Sequence, residues 1–142
     1  MSTMHRLSGV VVVTHWTVAV WHLFLAVRVL PAPSNHVSWL AITLISFGHI
    51  AILLVLWKLS DRVSGLISLL FFLAALGADL YEHFLHASLN NVLRVPSGEW
   101  TSLFDISVFI LLALEIVGSV LGTRLLRGRM SRVSDAKVVH TQ

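Results

Sequence analysis

The chain has 142 residues, 56% of them hydrophobic and 12% charged, with a formal net charge of +3 and no cysteine. A soluble domain carries about 25% charged residues, so this chain lacks the polar groups to cover a water-facing surface. The absence of thiols excludes disulfides, thiolate zinc sites, iron–sulfur clusters and covalent c-type haem, and the positive charge sits mostly in the C-terminal tail, which reads as membrane orientation and not as nucleic-acid binding.

At this length one domain is expected. Four apolar segments each reach the roughly 20 residues that a helix needs to cross about 30 Å of hydrocarbon. The first runs from about Gly9 to Leu30. It exceeds the roughly 7–15 residues of a secretory h-region and carries Trp16, Trp21, His15 and His22, so it reads as a retained helix, a cleaved signal being the alternative. Pro31-Ala32-Pro33-Ser34-Asn35 ends it, because proline lacks the N–H and disfavours helix in the residue before it. The second segment runs from about Ser38 to Leu59, and Ser60-Asp61-Arg62 makes a short turn in which Ser60 or Asp61 can cap the third helix. The third runs from about Val63 to Leu89. Asn90 to Gly98 is a loop, marked by Asn90-Asn91 and Pro96-Ser97-Gly98. The fourth runs from about Trp100 to Leu126 into a basic tail over 127–142. There is no internal repeat. Short connections make neighbours antiparallel, so the expected fold is all-α: an up-down-up-down bundle of four transmembrane helices.

Lys and Arg set the orientation. Cytoplasmic termini place Arg6, Lys58, Arg62, Arg124, Arg127, Arg129, Arg132 and Lys137 inside and leave only Arg28 and Arg94 outside, as in a bacterial inner-membrane protein. Trp39 and Trp100 then lie at the outer interface and Trp57 at the inner one, where amphipathic rings are favoured. Gly65, Gly77, Gly118 and Gly122 permit close helix approach, and Gly118-Ser119-Val120-Leu121-Gly122 fits a small-xxx-small pattern, for internal packing or for another subunit.

The third segment ends in Asp79-Leu80-Tyr81-Glu82-His83-Phe84-Leu85-His86. Ionisable groups in a bilayer are costly and need a partner or a task. On a continuous helix Asp79, His83 and His86 share one stripe at i, i+4 and i+7, with Glu82 beside it. Helix direction sorts the polar residues by depth. An outer layer holds His22, Asp79, Glu82, His83, His86 and Asp105, and an inner layer holds His15 and Glu115, with His49 between them. Lipid offers no hydrogen bonds, so all should turn inward and find partners there.

Imidazoles and carboxylates on facing helices are how bundles build metal sites. The expected ligands are His22, Asp79, His83 and His86, with Glu82 and Asp105 as further ligands or as supports. This donor set suits copper, iron, zinc or manganese. Haem b is the variant, held by His22 or His15 with His49 or His83. Either cofactor implies electron transfer or redox chemistry, with His15, His49 and Glu115 relaying protons. Thr14-His15-Trp16, and Gly48-His49 with Leu53 to Arg62, resemble two short pieces of bacterial di-haem cytochrome b561-type proteins; the third and fourth segments depart from that pattern, the fourth having no His, and no residue role is carried across.

Two other functions use the same sequence. A proton or cation transporter would employ the same acids and imidazoles, and a non-catalytic subunit of a larger membrane complex would meet partner subunits, or copies of itself, through its glycine-rich faces. The expected partners are membrane lipid and other membrane subunits or further copies of the chain, with no nucleic acid. A wet outer rim accounts for His86 better than ligation does, and helix packing accounts for His49 as readily as function does. The chain has no H-E-x-x-H, no Glu-x-x-His and no Gly-x-Ser-x-Gly, which removes the ready-made metalloprotease, ferritin-like and hydrolase patterns.

Overall fold

The computed structural model describes residues 3–29, 35–86 and 90–127, with the side chains of 35–41 left undescribed. The proline-rich connection, the side chain of Trp39, and Arg129, Arg132 and Lys137 of the tail therefore lie outside the described residues. Helix α1 spans Thr3–Val29, α2 Asn35–Lys58, α3 Asp61–Leu80 and α4 Thr101–Arg127, and a π-helical turn at Tyr81–Leu85 extends α3. No strand occurs among the described residues.

Three helices are long and apolar enough to cross a membrane: α1, α3 with its π turn (Asp61–Leu85), and α4. The apolar part of α2 with described side chains, Ile42–Lys58, is shorter. The distribution of side chains points the same way. Buried polar residues outnumber buried hydrophobic ones, eleven to ten, among the described residues. Meanwhile Trp21, Phe47, Leu70 and Phe109 stand exposed. A water-soluble fold has the opposite polarity. Here the groups that need hydrogen bonds are inside and the outside is greasy, the arrangement that lipid demands.

The stripe on α1 shows how the sequence achieves this. His5, Ser8, Val12, His15, Ala19, His22 and Leu25 are its buried residues. They recur every three or four positions, so one helix face carries them all. Two apolar clusters close the bundle along its length. One contains Val12, Ile52, Leu56, Phe72 and Leu125; the other contains Leu25, Phe104 and Val108. His15 and His22 on α1, and Leu111 and Glu115 on α4, fall between them in sequence.

The most extensive helix contact is α3 on α4, followed by α1 on α4 and α1 on α2. Glycine makes the first possible. A Cβ at Gly65 would lie 2.5 Å from the Leu126 backbone N and 2.8 Å from the Gly122 carbonyl, and one at Gly122 would lie 2.8 Å from the Leu69 backbone N. The two backbones therefore touch at this crossing. Gly118 makes room for the Phe72 ring, which would stand 2.4 Å from an added Cβ. The small-residue pattern on α4 thus serves packing within the chain. Gly77 has nothing within 4 Å of the Cβ position and takes no part.

Two local details differ from the expectations. Ser60 occupies the N-cap of α3 without a side-chain hydrogen bond; the turn is tied instead by Ser64 Oγ, which donates to the Val55 carbonyl at 3.0 Å. The third helix also ends earlier than Leu89. The amide of His86 bonds the Tyr81 carbonyl at 2.6 Å, an i→i+5 link, and His86 itself is extended, with φ −72° and ψ 133°. One extra residue in the turn shifts the register of everything after it.

Gly65→Ala should separate α3 from α4 and cost about 1–3 kcal/mol, the usual range for overpacking. Gly9→Ala, where the added Cβ meets nothing within 4 Å, is the control. Thermal unfolding in detergent, followed by circular dichroism, measures both, with Gly65→Ala expected at the lower midpoint.

Candidate functional site

A cavity of about 500 Å³ lies between the helices. Its polar wall is formed by His15 and His22 from α1, His49 from α2, Asp79 from α3, Glu82 and His83 from the π turn, and Glu115 from α4. Apart from Asn90, the remaining wall is apolar and includes Ala19, Leu23, Leu44, Phe71 and Leu111. Seven of the nine residues expected to form the site therefore line one space.

The deeper group is a hydrogen-bonded chain across three helices. His49 Nδ1 meets the Ile45 carbonyl at 2.6 Å. His49 Nε2 meets His15 Nδ1 at 2.7 Å, and His15 Nε2 meets Glu115 Oε1 at 3.2 Å. His15, His49 and Glu115 are all buried. Phe71 and Phe72 stand edge-to-face with His15, with centroids 6.3 and 5.5 Å away.

Hydrogen-bond chemistry fixes how many protons this chain holds. A carbonyl only accepts, so His49 Nδ1 must carry a hydrogen. Each of the two remaining links needs one hydrogen as well. Three hydrogens on two imidazoles and one carboxyl make two neutral rings and a carboxylic acid, or one imidazolium and a carboxylate. Either way the net charge is zero. Beyond the chain, Glu115 interacts with the Asp79 side chain through charge and hydrogen bonding. The chain is a neutral unit in which one proton has three resting places: Glu115 Oε1, His15 and His49.

The second group is nearer the π turn. His22 Nδ1 and Ser107 Oγ are 2.8 Å apart, and Ser107 Oγ donates its hydrogen to the Phe104 carbonyl at 2.6 Å. Ser107 must then accept, and His22 Nδ1 donates. His83 Nδ1 meets the Asn90 carbonyl at 2.8 Å, so it donates too. In the neutral ring each donor Nδ1 leaves Nε2 as a bare lone pair. The two rings are in contact, edge to face, with centroids 4.9 Å apart. Phe104 packs against His22 at 4.7 Å between centroids and against His83 at 6.0 Å. Asp79 is half-buried on the wall between the two groups. It interacts electrostatically with Glu115, His83 and His15.

Two expected residues stand apart. His86 is exposed, stacks on Tyr81 at 5.4 Å and pairs with Glu82 Oε2 at 3.3 Å. The extra residue of the π turn takes it off the Asp79–His83 stripe. Asp105 follows Phe104 by one residue, so it points about 100° further round α4. It does not line the cavity, and its Oδ1 is buried without a hydrogen-bond partner.

Ser107 and the Ile45 carbonyl are not among the expected residues. Ser107 is legible in hindsight, because it lies on the α4 stripe with Phe104, Leu111 and Glu115. The Ile45 carbonyl is legible only as the acceptor four residues before His49. His5 is a further addition: it is buried and its Nε2 lies 3.7 Å from Asp61 Oδ1. Ser46, one turn from His49 on α2, accepts a hydrogen bond from Trp16 Nε1 at 2.9 Å.

His15 and His49 bond each other directly and His22 and His83 are in ring contact, so of the four expected haem-ligand pairs these two do not stand apart across a haem-sized gap in this arrangement. Both nitrogens of His15 and of His49 are engaged. Among the described residues no three His, Asp or Glu side chains form a ready-made metal shell. Searches against protein-family models, curated proteins and solved structures match nothing to this chain.

The tautomers can be read directly. Ring-¹⁵N-histidine protein should show His22 and His83 protonated at Nδ1 at neutral pH. In Ser107→Ala the His22 signal should move away from that form, because its acceptor is gone, while His83 should stay. A long-range ¹H–¹⁵N correlation spectrum makes the measurement.

Proposed function

We propose that the protein is an integral protein of the bacterial inner membrane, an up-down-up-down four-helix bundle with both termini in the cytoplasm, and that it relays protons through its interior. The relay serves transport, or a redox step coupled to it. The observation that carries this reading is the Glu115–His15–His49 chain, a buried hydrogen-bonded unit in which one proton has three sites.

The placement in the membrane rests on the apolar exterior and on the charges. Arg6, Lys58, Arg62, Arg124 and Arg127 belong to the cytoplasmic side of this arrangement, with Arg28 and Arg94 on the other. Trp57 is exposed, with the Lys58 ammonium 4.3 Å from its ring centre, a pairing suited to a headgroup layer.

A proton enters from the outer side. Glu82 is half-exposed and lines the cavity with His83 and Asp79. Asp79 stands beside Glu115 and hands the proton on. A proton entering at Glu115 Oε2 shifts the bonds of the chain one link each: Oε1 releases its hydrogen to His15 Nε2, His15 Nδ1 releases its own to His49 Nε2, and the chain carries one positive charge on His49 until His49 gives up a hydrogen and restores the neutral unit. The chain stops at Val12 and Phe72, which are 0% and 1% exposed. On the cytoplasmic side of that plug lies a second polar run, His5, Ser8, Ser64 and Ser68, all buried, next to Asp61. The Ser8 and Ser68 hydroxyls have no protein partner. Two polar runs separated by one apolar layer describe a closed gate.

Proton relay is favoured over haem because His15 and His49 spend both nitrogens on hydrogen bonds. Reconstituted liposomes containing a pH-sensitive dye test the reading. Wild-type protein should pass protons slowly under an imposed gradient. Phe72→Ala should raise the rate about tenfold, by removing the ring from the barrier, equivalent to about 1.4 kcal/mol. Phe72→Ala combined with Glu115→Gln should fall back to the wild-type rate or below. A double variant that conducts like Phe72→Ala would mean water, and not the chain, carries the proton, and the reading would be lost.

A further inference from the structure

We infer that His22 and His83 form a binding site for a transition-metal ion of the imidazole-preferring class, such as copper or zinc, separate from the proton chain. The site shares Glu82 and His83 at the cavity mouth with the proposed proton entry but uses none of the Glu115–His15–His49 bonds.

Three observations carry it. First, both rings are buried, and both line the cavity. Second, both have their tautomer fixed from behind. Ser107, locked by its own bond to the Phe104 carbonyl, orients His22, and the Asn90 carbonyl orients His83. A metal-binding histidine characteristically donates its second N–H to an oxygen in this way, which aims the ring and raises the basicity of the free nitrogen. Third, two nitrogen lone pairs on touching rings have no hydrogen left to share between them. Both rings line the cavity, so a single cation entering it can take up both lone pairs.

The backbone helps hold this geometry. The π turn carries His83, and its carbonyl accepts from the Val92 amide at 3.0 Å. His83 and Asn90 are thus fastened by a side-chain bond and the loop by a backbone bond. π turns recur at functional sites because they let one side chain depart from helical register. The site we infer has two imidazoles, completed by water or by Glu82, which lines the same cavity. Imidazole with oxygen and no sulfur suits copper(II) or zinc and disfavours calcium and magnesium.

Copper(II) titrated into the full chain in detergent is the test, read by electron paramagnetic resonance for nitrogen couplings from two imidazoles. One tight copper per chain is expected. His22→Ala and His83→Ala should each weaken it at least a hundredfold, and Ser107→Ala about tenfold, the lower end of what loss of an orienting partner costs. His86→Ala, on the exposed rim, should leave it unchanged. Should the alanine variants fail to fold, zinc added to ring-¹⁵N-histidine wild-type protein decides the matter: His22 and His83 must shift at Nε2 before any other histidine. Copper retained by the His22→Ala/His83→Ala double variant, or zinc shifts confined to other histidines, overturns the site. Metal affinity and proton flux are separate readouts, so loss of this site leaves the relay standing, and loss of the relay leaves the site.

Discussion

The Ile45 carbonyl can accept a hydrogen bond and cannot give one, and the proton content of the interior depends on that asymmetry. It sets the His49 tautomer, His49 constrains His15, and His15 constrains Glu115. The outcome is a buried acid and two buried bases with no net charge among them. This matters because an isolated ion inside a low-dielectric medium costs several kcal/mol even after relaxation. The chain therefore keeps ionisable groups at depth without keeping ions there.

The same economy explains the architecture around it. With polar groups inside and apolar ones outside, the helices are joined by close packing and interhelical hydrogen bonds, the forces that act between helices in lipid. The Gly65–Gly122 crossing supplies the packing between α3 and α4. The His15–His49, His15–Glu115 and His22–Ser107 bonds tie α1 to α2 and to α4. The groups proposed to do chemistry are thus also the fasteners of the bundle, and Phe72, the proposed gate, packs where Gly118 makes room for its ring.

A division of labour runs through the cavity. His15 and His49 use both ring nitrogens within the protein, so they are suited to passing hydrogens along. His22 and His83 use one each, on fixed oxygen partners, so they are suited to meeting something that enters. Asp79 stands between the two pairs and interacts with both.

Much of this was legible in the chain itself. Four apolar stretches gave four helices, because a segment of some 20 apolar residues has few alternatives to a helix. Depth was legible too: His15 and Glu115 are counted from opposite directions along their helices and still meet. What counting could not supply is angle. Asp105 matches the outer layer in depth but is rotated away from the cavity, while Ser107, two residues on, takes its place beside His22. His86 belongs to the Asp79–His83 stripe only on an unbroken α-helix, and the i→i+5 bond at Tyr81 removes it. Tautomers lie further still from the sequence, because they depend on backbone carbonyls of Ile45 and Asn90 that every residue possesses alike. Periodicity and depth are properties of one helix and can be read from one segment. Rotation about the axis, and the direction of each hydrogen bond, are settled only when four helices close on one another.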